Sequence, residues 1–230
     1  MIKLEHTVLP SPDQMEFVIE GMRNPMNSRE KSDSVKCYAN EKCQGICNEN
    51  KIGLCVGEND RSLMNKLSYA GTDHRKFMRM MPVFVRITAP LYWWKEADTY
   101  KIGTVANSCS TMHKIQENEF TTDDFSHEHI VCQTSLDYII QELNCWRSRY
   151  IQYDEDETVG INLGMSKKDI WWQIIQLLPS SYNQKRNVML NYEVLANMYH
   201  SRKNHKLDEW REFCKWIENL PYSDLIIMED

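Results

Sequence analysis

The sequence predicts one mixed α/β domain, mostly helical, with a small number of strands. Three observations carry that expectation. Val83-Phe84-Val85-Arg86-Ile87-Thr88 is β-branched and alternating, and Pro90 ends it, as a strand requires. Leu136, Ile139, Ile140, Leu143 and Trp146 recur at helical spacing, and similar spacing fills the last third of the chain. The 230 residues are 42% hydrophobic and 26% charged, an ordinary folded composition with enough apolar surface to offset chain entropy.

Taken in order, Ile2–Leu9 reads as a short strand. Pro10 and Pro12 follow, and Ser11 or Asp13 caps a helix running towards Gly21. Residues 29–60 are polar, carry Gly45, Gly53 and Gly57, and read as a loop or insertion. Leu63, Met64 and Leu67 mark a short helix from Ser62 that stops before Gly71. After the strand, a helix starts at Leu91 and passes through Trp93, Trp94 and Ala97. Residues 98–113 contain glycine and serine and suggest no single element. Residues 135–149 form an amphipathic helix, and Asp154-Glu155-Asp156-Glu157 reads as a solvated acidic loop. Ile170, Ile174 and Leu177 share a helical face ended by Pro179, and a longer helix is expected over roughly 183–203. Leu207, Trp210, Cys214 and Ile217 then line a final helix before Pro221.

The net charge of −6 argues against duplex nucleic acid as a partner, because such binding needs a basic footprint. Met1–His6 lacks the apolar core of a signal peptide, and no apolar run nears the ~20 residues that span a bilayer. A cytoplasmic protein without membrane partners is expected, and its eight cysteines then read as thiols or metal ligands. Cys145 and Cys214 lie in helical patterns, where burial is expected. Cys37, Cys43, Cys47 and Cys55 supply four soft ligands, enough for tetrahedral zinc, but lack paired CxxC knuckles. A cysteine-bearing surface insertion is the reading taken. His127-Glu128-His129 with Cys132 is weighed likewise: Asp123 or Asp124 caps the next helix and the histidines are exposed. No metal is assigned. Neither a glycine-rich phosphate loop nor a nucleophile elbow occurs.

Asn191 and Arg202 stand eleven residues apart, nearly on one face of the expected long helix, with Asn197 about a third of a turn away. Amides and a guanidinium along one helix suit the edge of a planar heterocycle and its charged oxygens. Composition alone favours a solvated polar face.

The ordered run Leu178-Pro179, Asn191, Asn197 and Arg202 resembles the flavin-dependent thymidylate synthases. That family places asparagine twelve residues after the proline, another six on, and arginine five beyond. Asp208-Glu209-Trp210-Arg211-Glu212 is similar to its Gln-Trp-Glu-Ile segment, and Phe84 to Trp93 to its strand, Ala-Pro and helix. Gly71-Thr72-Asp73-His74 with Phe77 resembles its Gly-His-Glu-Ser-Pro-Phe stretch. The resemblance spans most of the chain except the cysteine insertion and parts of 114–168. It implies helices flanking a twisted, largely antiparallel sheet within a single domain, 1–230, carrying an insertion at about 29–60. It also implies a homotetramer with sites shared between subunits, for which Trp93, Trp94, Trp171 and Trp172 offer indirect support as surplus aromatic surface.

The implied activity is FAD-dependent methylation of a uridine nucleotide, dUMP to dTMP, with methylene-tetrahydrofolate and NADPH as co-substrates. Lys101, Asn107, Asn191, Asn197 and His205 are the implied cofactor residues. Glu96, Ser110 and Arg202 are the implied substrate residues, with Ser110 and Arg202 catalytic. Departures from the family fall on this chemistry. Its Arg-His-Arg becomes Thr99-Tyr100-Lys101, with eight rather than seven residues before Ser110. Asn107 matches, but the following glutamate becomes Ser108. Two phosphate-binding arginines become Met112 and Ile175, and a glutamine becomes Glu96. A thioether and an alkane make no charge-assisted contact to phosphate, so Lys101, His113 or Lys114 is left to supply that charge. The alternative is a non-catalytic nucleotide-binding or interaction protein that keeps the fold.

Overall fold

The computed structural model describes residues 1–36, 53–155 and 164–227, with Thr158 and Asn162. Cys37, Cys43, Cys47 and the side chains of the acidic 154–157 stretch lie outside the described residues, but the backbone corrects the loop expected there, since the helix that begins at Gln133 continues through Glu155. The helices are α1 (Pro12–Arg23), α2 (Glu58–Tyr69), α3 (Leu91–Ala97), α4 (Gln133–Glu155), α5 (Lys167–Leu177), α6 (Tyr192–Arg202) and α7 (Asp208–Glu218). The strands are β1 (Lys3–Val8), β2 (Val35–Lys36), β3 (Leu54–Cys55), β4 (Pro82–Pro90), β5 (Val105–Ser108) and β6 (Asn183–Asn191). Four strands make one sheet in the order β1-β4-β6-β5, while β2 and β3 pair antiparallel by themselves. The architecture is mixed α/β, as the sequence predicts. Among the described residues no helix is long and apolar enough to cross a membrane.

The chain divides into two compact units. The first comprises 1–3, 88–97 and 108–186. Its core gathers Ile115, Phe120, Phe125, Leu136, Leu143 and Ile174, so α4 and α5 bury their apolar stripes there. Ser166 caps α5 by accepting from Asp169 N, and Asp169 returns the bond, a reciprocal capping box. Trp93 and Trp94 are buried, so core packing accounts for both. Cys145 is exposed despite its helical context, because the buried stripe of α4 runs through Leu136 and Leu143 instead.

The second unit comprises 4–87, 98–107 and 187–230. Most of the four-stranded sheet belongs to it, with α1, α2, α6 and α7. Ser11 caps α1, as its position before Pro12 predicts. The largest departure from expectation lies at 183–203, where the predicted single helix is a strand followed by a helix. Gln184, Val188 and Leu190 alternate inward along β6, and Asn191 then turns the chain into α6. Every residue from Tyr192 to Ala196 is buried, so α6 has no amphipathic stripe to mark where it begins.

Asp60, on α2, organises the N-terminal part of this unit. It is fully buried and pairs with Arg23 Nε at 2.5 Å. Its other oxygen accepts from the hydroxyls of Ser32 (2.7 Å) and Ser34 (2.6 Å) and from the amides of Asp33 and Ser34. Asp33 in turn accepts from the amides of Asn59 and Asp60, the first turn of α2. Burial pushes the Asp60 carboxyl up, but the bonds from Ser34, Ser32 and Arg23 outweigh it and hold the group below its ordinary range. Its folded pKa therefore lies under the unfolded value of about 4, and the stabilisation present above that value is lost as pH falls through the folded one. Removing one partner of a buried pair costs about 3–5 kcal/mol. Asp60→Ala should lower unfolding stability by that amount at neutral pH in urea titrations. The difference from the parent protein should shrink as the pH is taken below about 4.

Candidate functional site

Six of the residues implicated from the sequence (Lys101, Asn107, Asn191, Asn197, Arg202 and His205) belong to the second unit, and Glu96 and Ser110 to the first. The segment between α3 and β5 connects the first group. It makes a tight turn over Tyr100–Thr104, closed by the Thr104 hydroxyl donating to Tyr100 O at 2.7 Å. Gly103 sits there at φ +81°, a conformation that glycine adopts at little cost.

Asn191 is buried at the junction of β6 and α6. Its Oδ1 accepts from Val194 N at 3.0 Å, capping the helix, and its Nδ2 donates to Gly103 O at 3.4 Å. A side chain on Gly103 would bring a Cβ within 2.7 Å of that same Nδ2. Asn191 therefore does not share a helical face with Arg202. The two residues bound α6, and eleven residues of helix separate them by about 16 Å. At the far end, Arg202 Nε donates to Tyr100 Oη at 3.0 Å. Its guanidinium lies over the rings of Trp210 (4.9 Å) and Tyr100 (5.7 Å), an arrangement that holds the charge by cation–π attraction. His205 packs edge-on against Trp210. Its Nδ1 accepts from Leu207 N at 3.2 Å, which puts the ring proton on Nε2.

Asn197 is exposed on α6, and its Oδ1 accepts from Arg75 at 3.2 Å. Arg75 and Arg79 converge on the buried Glu193 carboxylate, Arg79 through both Nε and a second nitrogen. Bidentate guanidinium contact of this kind fixes orientation as well as charge. Lys101 is exposed at the turn, beside Ile102, which is 93% exposed. Asn107 lies on the open side of β5, where it lines a cleft of about 520 Å³ with Phe84, Arg86, Val105, Asn187 and Met189.

In the first unit, Ser110 is exposed, and its hydroxyl accepts from the amides of Met112 (3.3 Å) and His113 (3.0 Å). Met112 is 43% exposed, and its carbonyl accepts from Trp171 Nε1 at 2.9 Å. Ile175 packs against the apolar core of this unit. Glu96 is half-buried on α3. Cys55 lies on β3, and among the described residues no cluster of three or more His, Cys, Asp or Glu side chains is placed to hold a metal.

Sequence reasoning missed Tyr100, Gly103, Arg75, Arg79 and Glu193. The glycine at 103, following Ile102 and preceding Thr104, was the available signal for the turn. Nothing local marked the arginine–glutamate cluster, whose arginines lie more than a hundred residues from the glutamate.

No protein-family model matches the chain, and no curated protein sequence matches it. Solved structures do. Thymidylate synthase X from Helicobacter pylori, solved with FAD and dUMP, superposes with a TM-score of 0.63 at 14% identity, covering 100% of this chain and 97% of the other. The fold is that of the flavin-dependent thymidylate synthases. A second structure, the flavin-dependent enzyme from the same organism complexed with FAD and dUMP, gives a TM-score of 0.56 at 14% identity, covering 98% of this chain and 97% of the other. Identity that low carries the fold and leaves chemistry to the residues themselves.

Removing an N-cap costs about 0.5–2 kcal/mol. Asn191→Ala should destabilise the protein by that amount in chemical denaturation, and Asn191→Ser, which keeps a capping oxygen, should recover most of it.

Proposed function

We propose that the protein is a divergent flavin-dependent thymidylate synthase-like protein. In this reading it binds FAD and methylates dUMP to dTMP, with methylene-tetrahydrofolate as the carbon donor and NADPH as the reductant. The observation that carries the reading is the placement of the matched asparagines and arginine. Asn191 starts α6, Asn197 lies along it and Arg202 closes it, within a chain that is similar to a solved thymidylate synthase X structure at a TM-score of 0.63.

The exposed donors suit a flavin dinucleotide in part. Lys101 offers an ammonium for the pyrophosphate, and Asn107 and Asn197 offer amides for polar edges. Asn191 has its carboxamide directed to Val194 and Gly103, so it serves such a site by holding the turn that carries Lys101. When bound, the flavin supplies the redox chemistry, and the protein supplies orientation and charge. Arg202, held against the neighbouring rings of Tyr100 and Trp210, presents a delocalised cation for the pyrimidine ring. Ser110 approaches the nucleotide with a hydroxyl whose lone pairs are taken by two backbone amides, which leaves its proton available to donate. His205 stands behind Trp210 as a support for that ring.

The substrate phosphate fits less well. Met112 brings no charge, Ile175 is committed to the core, and Glu96 is an acid where the family has an amide. These positions favour, as a second reading, a protein that keeps the fold and binds a nucleotide without turnover. Assembly as a homotetramer belongs to the first reading, supported by the partly exposed Trp172 and by the apolar cleft on the sheet.

Purified protein should carry a flavin absorbance spectrum, and Asn197→Ala should reduce flavin occupancy. A colourless protein that takes up no added FAD would move the assignment to the second reading. A charge-assisted hydrogen bond contributes about 1.5–3 kcal/mol, so Met112→Arg should tighten dUMP binding roughly ten- to hundredfold in calorimetry. Met112 is exposed and its role is through the backbone carbonyl, so this change should leave thermal stability within about 0.5 kcal/mol. Tight dUMP binding by the parent protein, unaltered by Met112→Arg, would sink the assignment of this loop to the phosphate.

A further inference from the structure

We infer that Asn191, Gly103 and Tyr100 are positioning residues, which latch the 100–104 turn onto the two ends of α6 and so hold Lys101 outward for an anionic ligand. The inference rests on the proposed flavin reading only for the identity of that ligand; the latch itself stands on geometry. The turn is tied twice from outside. Asn191 Nδ2 holds Gly103 O at the N-terminal end of α6, and Arg202 Nε holds Tyr100 Oη at its C-terminal end. A third tie is internal, from the Thr104 hydroxyl to Tyr100 O. Between the ties, Lys101 and Ile102 face solvent.

A turn whose flanks are tethered to one rigid helix has lost its backbone freedom before any ligand arrives. The ammonium of Lys101 then meets an anion without a further ordering cost to the main chain, which is where pre-organisation contributes affinity. The close approach is specific to glycine. With its positive φ and the Asn191 amide 2.7 Å from where a Cβ would stand, any side chain at Gly103 forces the latch apart.

Asn191→Asp separates this role from helix capping. The carboxylate keeps the oxygen that accepts from Val194 N and replaces the donor facing Gly103 O with an acceptor, so the cap survives and the latch does not. Gly103→Ala breaks the latch from the other side, and Tyr100→Phe removes the oxygen that Arg202 holds while keeping the ring. Amide hydrogen exchange would be followed across residues 99–105, with FAD affinity measured by fluorescence titration and thermal midpoints recorded alongside. All three variants should raise exchange in that segment roughly two- to tenfold, the loss of one hydrogen bond. FAD affinity should fall by a similar factor, and Lys101→Ala in the Asn191→Asp background should weaken it less than in the parent.

Unchanged exchange in both Asn191→Asp and Gly103→Ala would overturn the latch whatever FAD does. Raised exchange with unaltered FAD affinity would overturn the positioning role. If the parent protein binds no FAD, inorganic pyrophosphate replaces it as the probe of Lys101. Failure of that probe too, with exchange behaving as expected, would remove the ligand role while leaving the latch in place.

Discussion

The carboxamide of Asn191 is the interaction on which the site region depends. One side chain ends β6, starts α6 and holds the turn before β5, using its oxygen for the helix and its nitrogen for the turn. The helix needs that cap more than most. It is buried on nearly every side from Tyr192 to Tyr199, so no single apolar stripe against a polar face sets its register. Once the cap places the first turn, Glu193 and Arg202 are carried to opposite ends of α6. The neighbouring segments then organise around those two charges.

Buried carboxylates do a second part of this work. Glu193 draws Arg75 and Arg79 against α6, and Asp60 draws Arg23 and the 32–34 backbone against α2. Desolvating such groups is costly, and the cost is offset only because each carboxylate meets a guanidinium and additional donors. The pairing also sorts the cations of the second unit by role. Arg75 and Arg79 are engaged with protein carboxylate, whereas Lys101 stands exposed on a held turn. On the proposed reading, charge for an incoming anion comes from a residue outside these networks.

The departures from the flavin-dependent pattern have structural consequences of their own. Ile175 is part of the packing of the first unit, where an arginine would need a partner in an apolar core. Met112 keeps a role through its backbone, accepting from Trp171, and leaves its side chain exposed. One position packs, half-buried, against the core and the other is surface. On the proposed reading, an arginine for phosphate is accessible at the second position and structurally expensive at the first.

Local chemistry determined much of this protein from the sequence alone. Ser11 before Pro12, the β-branched run ended by Pro90, and the apolar stripes of α4, α5 and α7 are written in neighbouring residues, and each element forms there, although α4 runs on to Glu155, into the stretch expected as an acidic loop. The fold class followed from the same signals, and the spacing of Leu178-Pro179, Asn191, Asn197 and Arg202 pointed to the fold that the solved structures share. The boundary between β6 and α6 did not follow, because a half-buried strand leading into a fully buried helix carries no single period. Nor did the partners of the site residues. Asn191 with Gly103, Arg202 with Tyr100 and Glu193 with Arg79 are separated by 88 to 114 residues, and only chain folding brings such pairs together. Residue type and spacing nominated the polar groups; tertiary packing decided which of them face inward as clamps and which, like Lys101 and Asn107, remain open to a ligand.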